Sequence, residues 1–124
     1  MIITHCHADH DAGTFQKLIA GGRVTLMTAP TVMRSFVNKY AAISGVGEAG
    51  LRELFDFVPG IVGTPVERHG VTFKFFYALH PIPCVGFEAH CCGKSLVFSG
   101  DTCNDPQRIV QARASCAEPL TPRP

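Results

Sequence analysis

Residues 4–13 read Thr4-His5-Cys6-His7-Ala8-Asp9-His10-Asp11-Ala12-Gly13, which sets three imidazoles and two carboxylates within seven positions. A chain that buries a core can accommodate this segment only against water or in the wall of a polar cavity. With six His and five Asp among 124 residues, the pattern H-x-H-x-D-H arises by chance in about 6 of 10,000 such chains, so a mechanism is the better explanation. In extended backbone, His5 and His7 project to the same side and can reach one ion. Asp9 and His10 follow the bend and point into the same cavity from a helix start, at an angle that suits a second ion. Imidazole nitrogen with carboxylate oxygen fits zinc better than calcium or magnesium, with iron and manganese as alternatives.

Two later segments present similar chemistry at strand ends. Leu79-His80-Pro81-Ile82-Pro83-Cys84-Val85-Gly86-Phe87 places His80 after an apolar strand, where the prolines force a turn. Ser99-Gly100-Asp101-Thr102 follows the apolar run Leu96-Val97-Phe98, so a strand delivers Asp101 into a glycine-containing loop. Layered α/β folds commonly carry their ligands at such strand ends. Asp11 reads as a helix cap, His69 as a turn residue and His90 as an exposed strand position.

The order of elements supports a layered fold. Ala12, Phe15, Leu18 and Ile19 have helical spacing, predicting a helix over about 11 to 20 that stops at Gly21-Gly22. A short strand over Arg23 to Met27 precedes a helix opened by Pro30 and striped by Met33, Phe36, Val37, Tyr40 and Ala41. Leu51, Leu54 and Phe55 suggest one or two further helical turns. Val71 to Leu79, Cys84 to His90 and Ser95 to Ser99 read as strands, the last two joined by a hairpin-length turn at Cys91-Cys92-Gly93-Lys94.

Composition excludes several classes. Hydrophobic residues make up 46% and the formal charge is +1, so the chain folds and carries no basic stripe for nucleic-acid backbone. No apolar run is long enough for a transmembrane helix, and no secretory signal opens the chain, which predicts a cytoplasmic location with six reduced cysteines. Cys6, Cys84 and Cys103 read as small apolar side chains rather than ligands, and Cys91-Cys92 as the most oxidisable pair.

Taken in order, THCHADHDAG, LHPIPCVGF and SLVFSGDT resemble the metallo-β-lactamase superfamily of dinuclear metallo-hydrolases over about residues 2 to 106. The His80 to Gly86 segment and the SGDT loop are most similar to its ribonuclease Z and phosphodiesterase branch. The resemblance implies an α/β fold, part of a four-layer αββα sandwich, in a domain over 1–106. A tail over 107–124 would have a helix-compatible start and a Pro-rich, disordered end. It further implies that His5, His7 and His80 hold one Zn²⁺, that Asp9 and His10 hold a second, and that Asp101 bridges them. Asp9 and Asp101 would orient metal-bound water toward a small-molecule or phosphodiester substrate. Two departures shape the expectation: the superfamily's opening strands precede its metal loop, and a C-terminal His completes its second site, whereas here the loop starts at residue 4 and no His follows His90. The chain is therefore expected to be a fragment with a weakened second site, impaired turnover and an exposed sheet face for a partner chain. The competing expectation is a non-catalytic metal-binding remnant.

Overall fold

A computed structural model describes residues 1–108 and residue 110. The expected Pro-rich end, 117–124, lies outside them. After a short extended segment come α1 (Ala8–Ile19), β1 (Val24–Thr28), α2 (Pro30–Ser44), α3 (Glu48–Arg52) and β2 (Phe55–Pro59). Strands β3 (Val66–Arg68), β4 (Val71–Tyr77), β5 (Val85–Cys91) and β6 (Lys94–Phe98) complete the chain. β1 and β2 pair in parallel, and the other four form an antiparallel meander in the order β3-β4-β5-β6.

α1 begins three residues before the periodicity indicates, a correction with a local cause. His7 is extended, with φ −76° and ψ 149°. Its carbonyl accepts from the amides of His10 (3.0 Å) and Asp11 (3.1 Å), so the helix is nucleated inside the polar motif. Asp9 and Asp11 lie in that first turn, where carboxylates complement the helix dipole. α2 starts on Pro30 and ends at Gly45, whose φ of 71° is the left-handed cap conformation. Of its expected stripe, Met33, Phe36, Val37 and Tyr40 are buried and Ala41 is half-buried, and Val32 is buried with them.

β2 and β3 are absent from the sequence reading. Phe55, expected on a helix, instead starts β2, where it is buried and its ring lies 6.4 Å from that of Phe36. The helix stops at Arg52, and tertiary packing decides the ambiguous Leu51-to-Phe55 stretch. The β3–β4 and β5–β6 connections are two-residue turns with both residues left-handed: His69 (φ 52°) with Gly70 (74°), and Cys92 (51°) with Gly93 (73°).

The first four residues join the two sheets. The Met27 amide donates to Met1 O (2.9 Å) and the Ile3 amide to Met27 O (3.3 Å), which extends the β1–β2 pair. The Val85 amide then donates to Thr4 O (2.9 Å), which ties the same segment to β5. One apolar cluster follows, running from Val32, Phe36 and Tyr40 through Ile3, Leu26 and Phe55 to Phe75 and Val85. β6 stays outside it, with Leu96, Val97 and Phe98 exposed. No helix among the described residues is long and apolar enough to cross a membrane.

Phe36 is 1% exposed and touches both α2 and β2 partners. Phe36→Ala is expected to destabilise the chain by about 3–5 kcal/mol, read as a lower urea midpoint with an unchanged slope.

Candidate metal centre

His5 ends the segment shared by both sheets and is fully buried. Its Nδ1 lies 3.1 Å from Thr4 Oγ1 and its Nε2 3.1 Å from His7 Nδ1. With Nε2 turned into the cavity, Nδ1–H is left to donate to the threonine, an arrangement that fixes ring orientation in metal sites. His80 stands on the loop after β4, which the Ala78 amide closes onto Cys84 O (3.0 Å). Its Nε2 also lies 3.1 Å from His7 Nδ1, across 73 residues of chain.

Asp101 completes the group, and the four ligand atoms of His5, His7, His80 and Asp101 all lie within 4.8 Å of one another. The carboxylate faces two ways: Oδ2 is 3.7 Å from His5 Nε2 and Oδ1 is 3.5 Å from His10 Nε2. His10 Nε2 is in turn 3.4 Å from Asp9 Oδ2, with the Asp9 side chain 78% exposed at the mouth. The structure thus brings all six sequence-derived residues together, as a tight group of four with His10 and Asp9 beside it.

The donor set suits a cation. Three imidazole nitrogens converge at 3.1 Å along two of their edges, close to the separation of about 3.3 Å between nitrogens on a tetrahedral zinc. His7 Nδ1 faces both His5 Nε2 and His80 Nε2, and a single ring N–H serves only one of those contacts, whereas a cation accepts all three lone pairs together. Gly100 permits the approach of Asp101: its φ is 63°, and a Cβ there would meet Val85 O at 2.7 Å. The Cys84 thiol donates to Asp101 O (3.4 Å) and holds that turn. An open cavity of about 470 Å³ beside the group is lined by His80, Pro81, Ser99, Asp101, Thr102 and Cys103 among others.

Asp11 is a correction. It is not a helix cap: it is fully buried and accepts from Lys39 Nζ (2.7 and 2.8 Å) and Tyr40 Oη (2.6 Å) of α2. Lys39 also donates to Cys6 O (3.0 Å), the carbonyl between His5 and His7, so α2 fixes the backbone that aims both rings. Nothing local in the sequence marks Lys39 and Tyr40, because a partner on another helix defines their role. Cys6 is no ligand. Its thiol donates to Val32 O, and burial, reinforced by Asp11, pushes its pKa up to about 12.

No family model matches the chain. The crystal structure of the metallo-β-lactamase fold protein YhfI from Bacillus subtilis superimposes with a TM-score of 0.62 at 16% identity, covering 89% of this chain and 44% of that one. The chain has the metallo-β-lactamase fold. It is also 50% identical over 109 residues to the cGMP-dependent 3′,5′-cGMP phosphodiesterase A of Dictyostelium discoideum, covering 88% of this chain. The cAMP/cGMP-dependent 3′,5′-cAMP/cGMP phosphodiesterase B of the same organism is 37% identical over 113 residues, 91% of this chain. The chain spans only 13% and 10% of the lengths of these two relatives. The grouped donors of His5, His7, His80 and Asp101 could hold a metal ion.

Two outcomes follow for the metal-free chain. Burial, then the neighbouring His10, lowers the His5 pKa below 6.5. The unfolded chain therefore takes up a proton that the folded chain resists, so stability is full above about pH 6.5 and falls as pH drops toward the lowered value. Urea midpoints across pH 5 to 8 check this, and His5→Gln should flatten the slope. Asp11→Ala leaves Lys39 and Tyr40 without their shared acceptor and is expected to cost about 3–5 kcal/mol by the same measurement.

Proposed function

We propose that this chain carries the metal-binding part of a zinc-dependent phosphodiesterase of metallo-β-lactamase type, acting on a small phosphodiester such as a 3′,5′-cyclic nucleotide. One observation carries the reading: the convergent His5, His7, His80 and Asp101 donors lie in a chain half identical to a cyclic-nucleotide phosphodiesterase. The imidazole-rich donor set supports zinc. His5, His7 and His80 would hold one ion, Asp9 and His10 the second, and Asp101 would give one oxygen to each. Ions held there would supply acidified water at neutral pH and a positive charge facing the scissile phosphoryl group.

The chain's own residues set the geometry around that chemistry. The exposed Asp9 carboxylate stands at the mouth, where it accepts a hydrogen bond from incoming water and orients it. Thr4 and the Lys39–Asp11 pair hold the His5 and His7 rings, so little rearrangement accompanies binding. The cavity beside His80 and Asp101 is open enough for a nucleotide-sized ester. Among the described residues the second group offers Asp9, His10 and a shared oxygen of Asp101, which supports one tight ion and one weak ion. Free cysteines suit a reducing compartment such as the cytoplasm.

Elemental analysis of the purified chain is expected to find at least one zinc, abolished in the double variant His5→Ala, His7→Ala. Zinc titration should resolve one tight and one weak event; two equally tight sites would contradict the asymmetry. In a longer protein containing this segment, Asp101→Asn should lower 3′,5′-cGMP hydrolysis by about 100-fold or more, the scale of losing a transition-state contact. Hydrolysis of a thioester but no phosphodiester would sink the substrate assignment.

A further inference from the structure

The tip of the β5–β6 hairpin carries chemistry that the metal centre does not use. Cys91 and Cys92 are both exposed, with Sγ atoms 3.4 Å apart. They are sequence neighbours at the hairpin tip: Cys91 is the last residue of β5, and Cys92 opens the two-residue turn, left-handed at φ 51°. Most residues avoid that conformation, and asparagine or glycine is the usual occupant. The antiparallel pairing of Cys91 with Lys94 and of His90 with Ser95 closes the turn and fixes the backbone that carries the two thiols. The turn borders an open cavity of about 450 Å³ whose lining includes Gly70, Thr72 and His90. His90 is turned toward Glu88, with Nε2 3.3 Å from Oε2, and Lys94 and Ser95 also line the cavity, so the two sulfurs are its soft donors. From Val85, beside the metal centre, to Cys91 is six residues of strand, about 20 Å.

We propose that Cys91 and Cys92 form a bidentate site for a soft, thiophilic centre that is satisfied by two thiolates, of which a trivalent arsenical is the simplest member. Zinc asks for four ligands, and this turn supplies two. Thiolate sulfur selects soft centres over hard ones, which separates this site from the imidazole and carboxylate group at the other end of β5. With an organic arsenoxide the step is a condensation: two S–H bonds and the As=O bond break, two As–S bonds form, and both protons leave with the oxygen as water. Arsenic stays trivalent, so no oxidant or reductant takes part. Two rigidly neighbouring thiols make the second As–S bond intramolecular, and the adduct therefore resists competition by monothiols.

The test treats the reduced, chelator-stripped full chain with phenylarsine oxide, then with excess 2-mercaptoethanol, and counts adducts by intact-mass spectrometry. One adduct per chain is expected to survive the monothiol and to be released by a dithiol. Cys91→Ser and Cys92→Ser should each lower the retained fraction tenfold or more, while Cys103→Ser leaves it unchanged. Cys92→Gly suits the left-handed turn, so it should lose the adduct while keeping the circular dichroism of the parent. An adduct stripped by the monothiol from the parent chain, or one that persists in both serine variants, would overturn the assignment.

Discussion

The structure depends on one short extended segment being hydrogen-bonded to two sheets at once. Met1 and Ile3 pair with Met27 on one side, and Thr4 accepts from Val85 on the other. Through these contacts, sheets that never pair with each other directly are brought to a common seam, and His5 sits at its end. The four grouped side chains come from both sides of that seam. His5 and His7 follow the segment itself, His80 hangs from the loop after β4, and Asp101 follows β6. Remove the seam and four good donors remain on separate pieces of structure.

A second layer of support comes from α2. Its buried stripe is an ordinary core face, yet the Tyr40 hydroxyl within it and Lys39 beside it grip Asp11, and Lys39 reaches the carbonyl of Cys6. A buried carboxylate with three donated hydrogen bonds is tolerable where an unpaired one is not. The consequence is directional: the helix that fills the core also sets the angle of the histidine-bearing loop. Changes in α2 packing therefore reach the donor cluster without touching a ligand.

Much of this was legible in the sequence, and the parts that were not share a cause. The helices at Ala8–Ile19 and Pro30–Ser44 and the strands β4, β5 and β6 announce themselves by period and by glycine or proline punctuation, within a few residues at their ends. The six donors were legible as types at spacings, and the structure shows them gathered. β2 was missed because Phe55 is equally at home on a helix, and only its burial against Phe36 decides the matter. β3 is three residues long and carries too little pattern to read. Asp11 was misjudged because its meaning is non-local: a carboxylate in a helix's first turn usually faces water, and here α2 lies over it.

The 73-residue separation of His7 and His80 has a thermodynamic consequence. A ligand that binds both rings closes a long loop, as a covalent cross-link would, and restricts the unfolded chain far more than the folded one. Closing a loop of that length with a disulfide is worth about 4 kcal/mol in the chain-entropy account. Occupancy of the cluster would thus act as a clasp on the whole fold, making the domain's stability a function of the free concentration of what binds there.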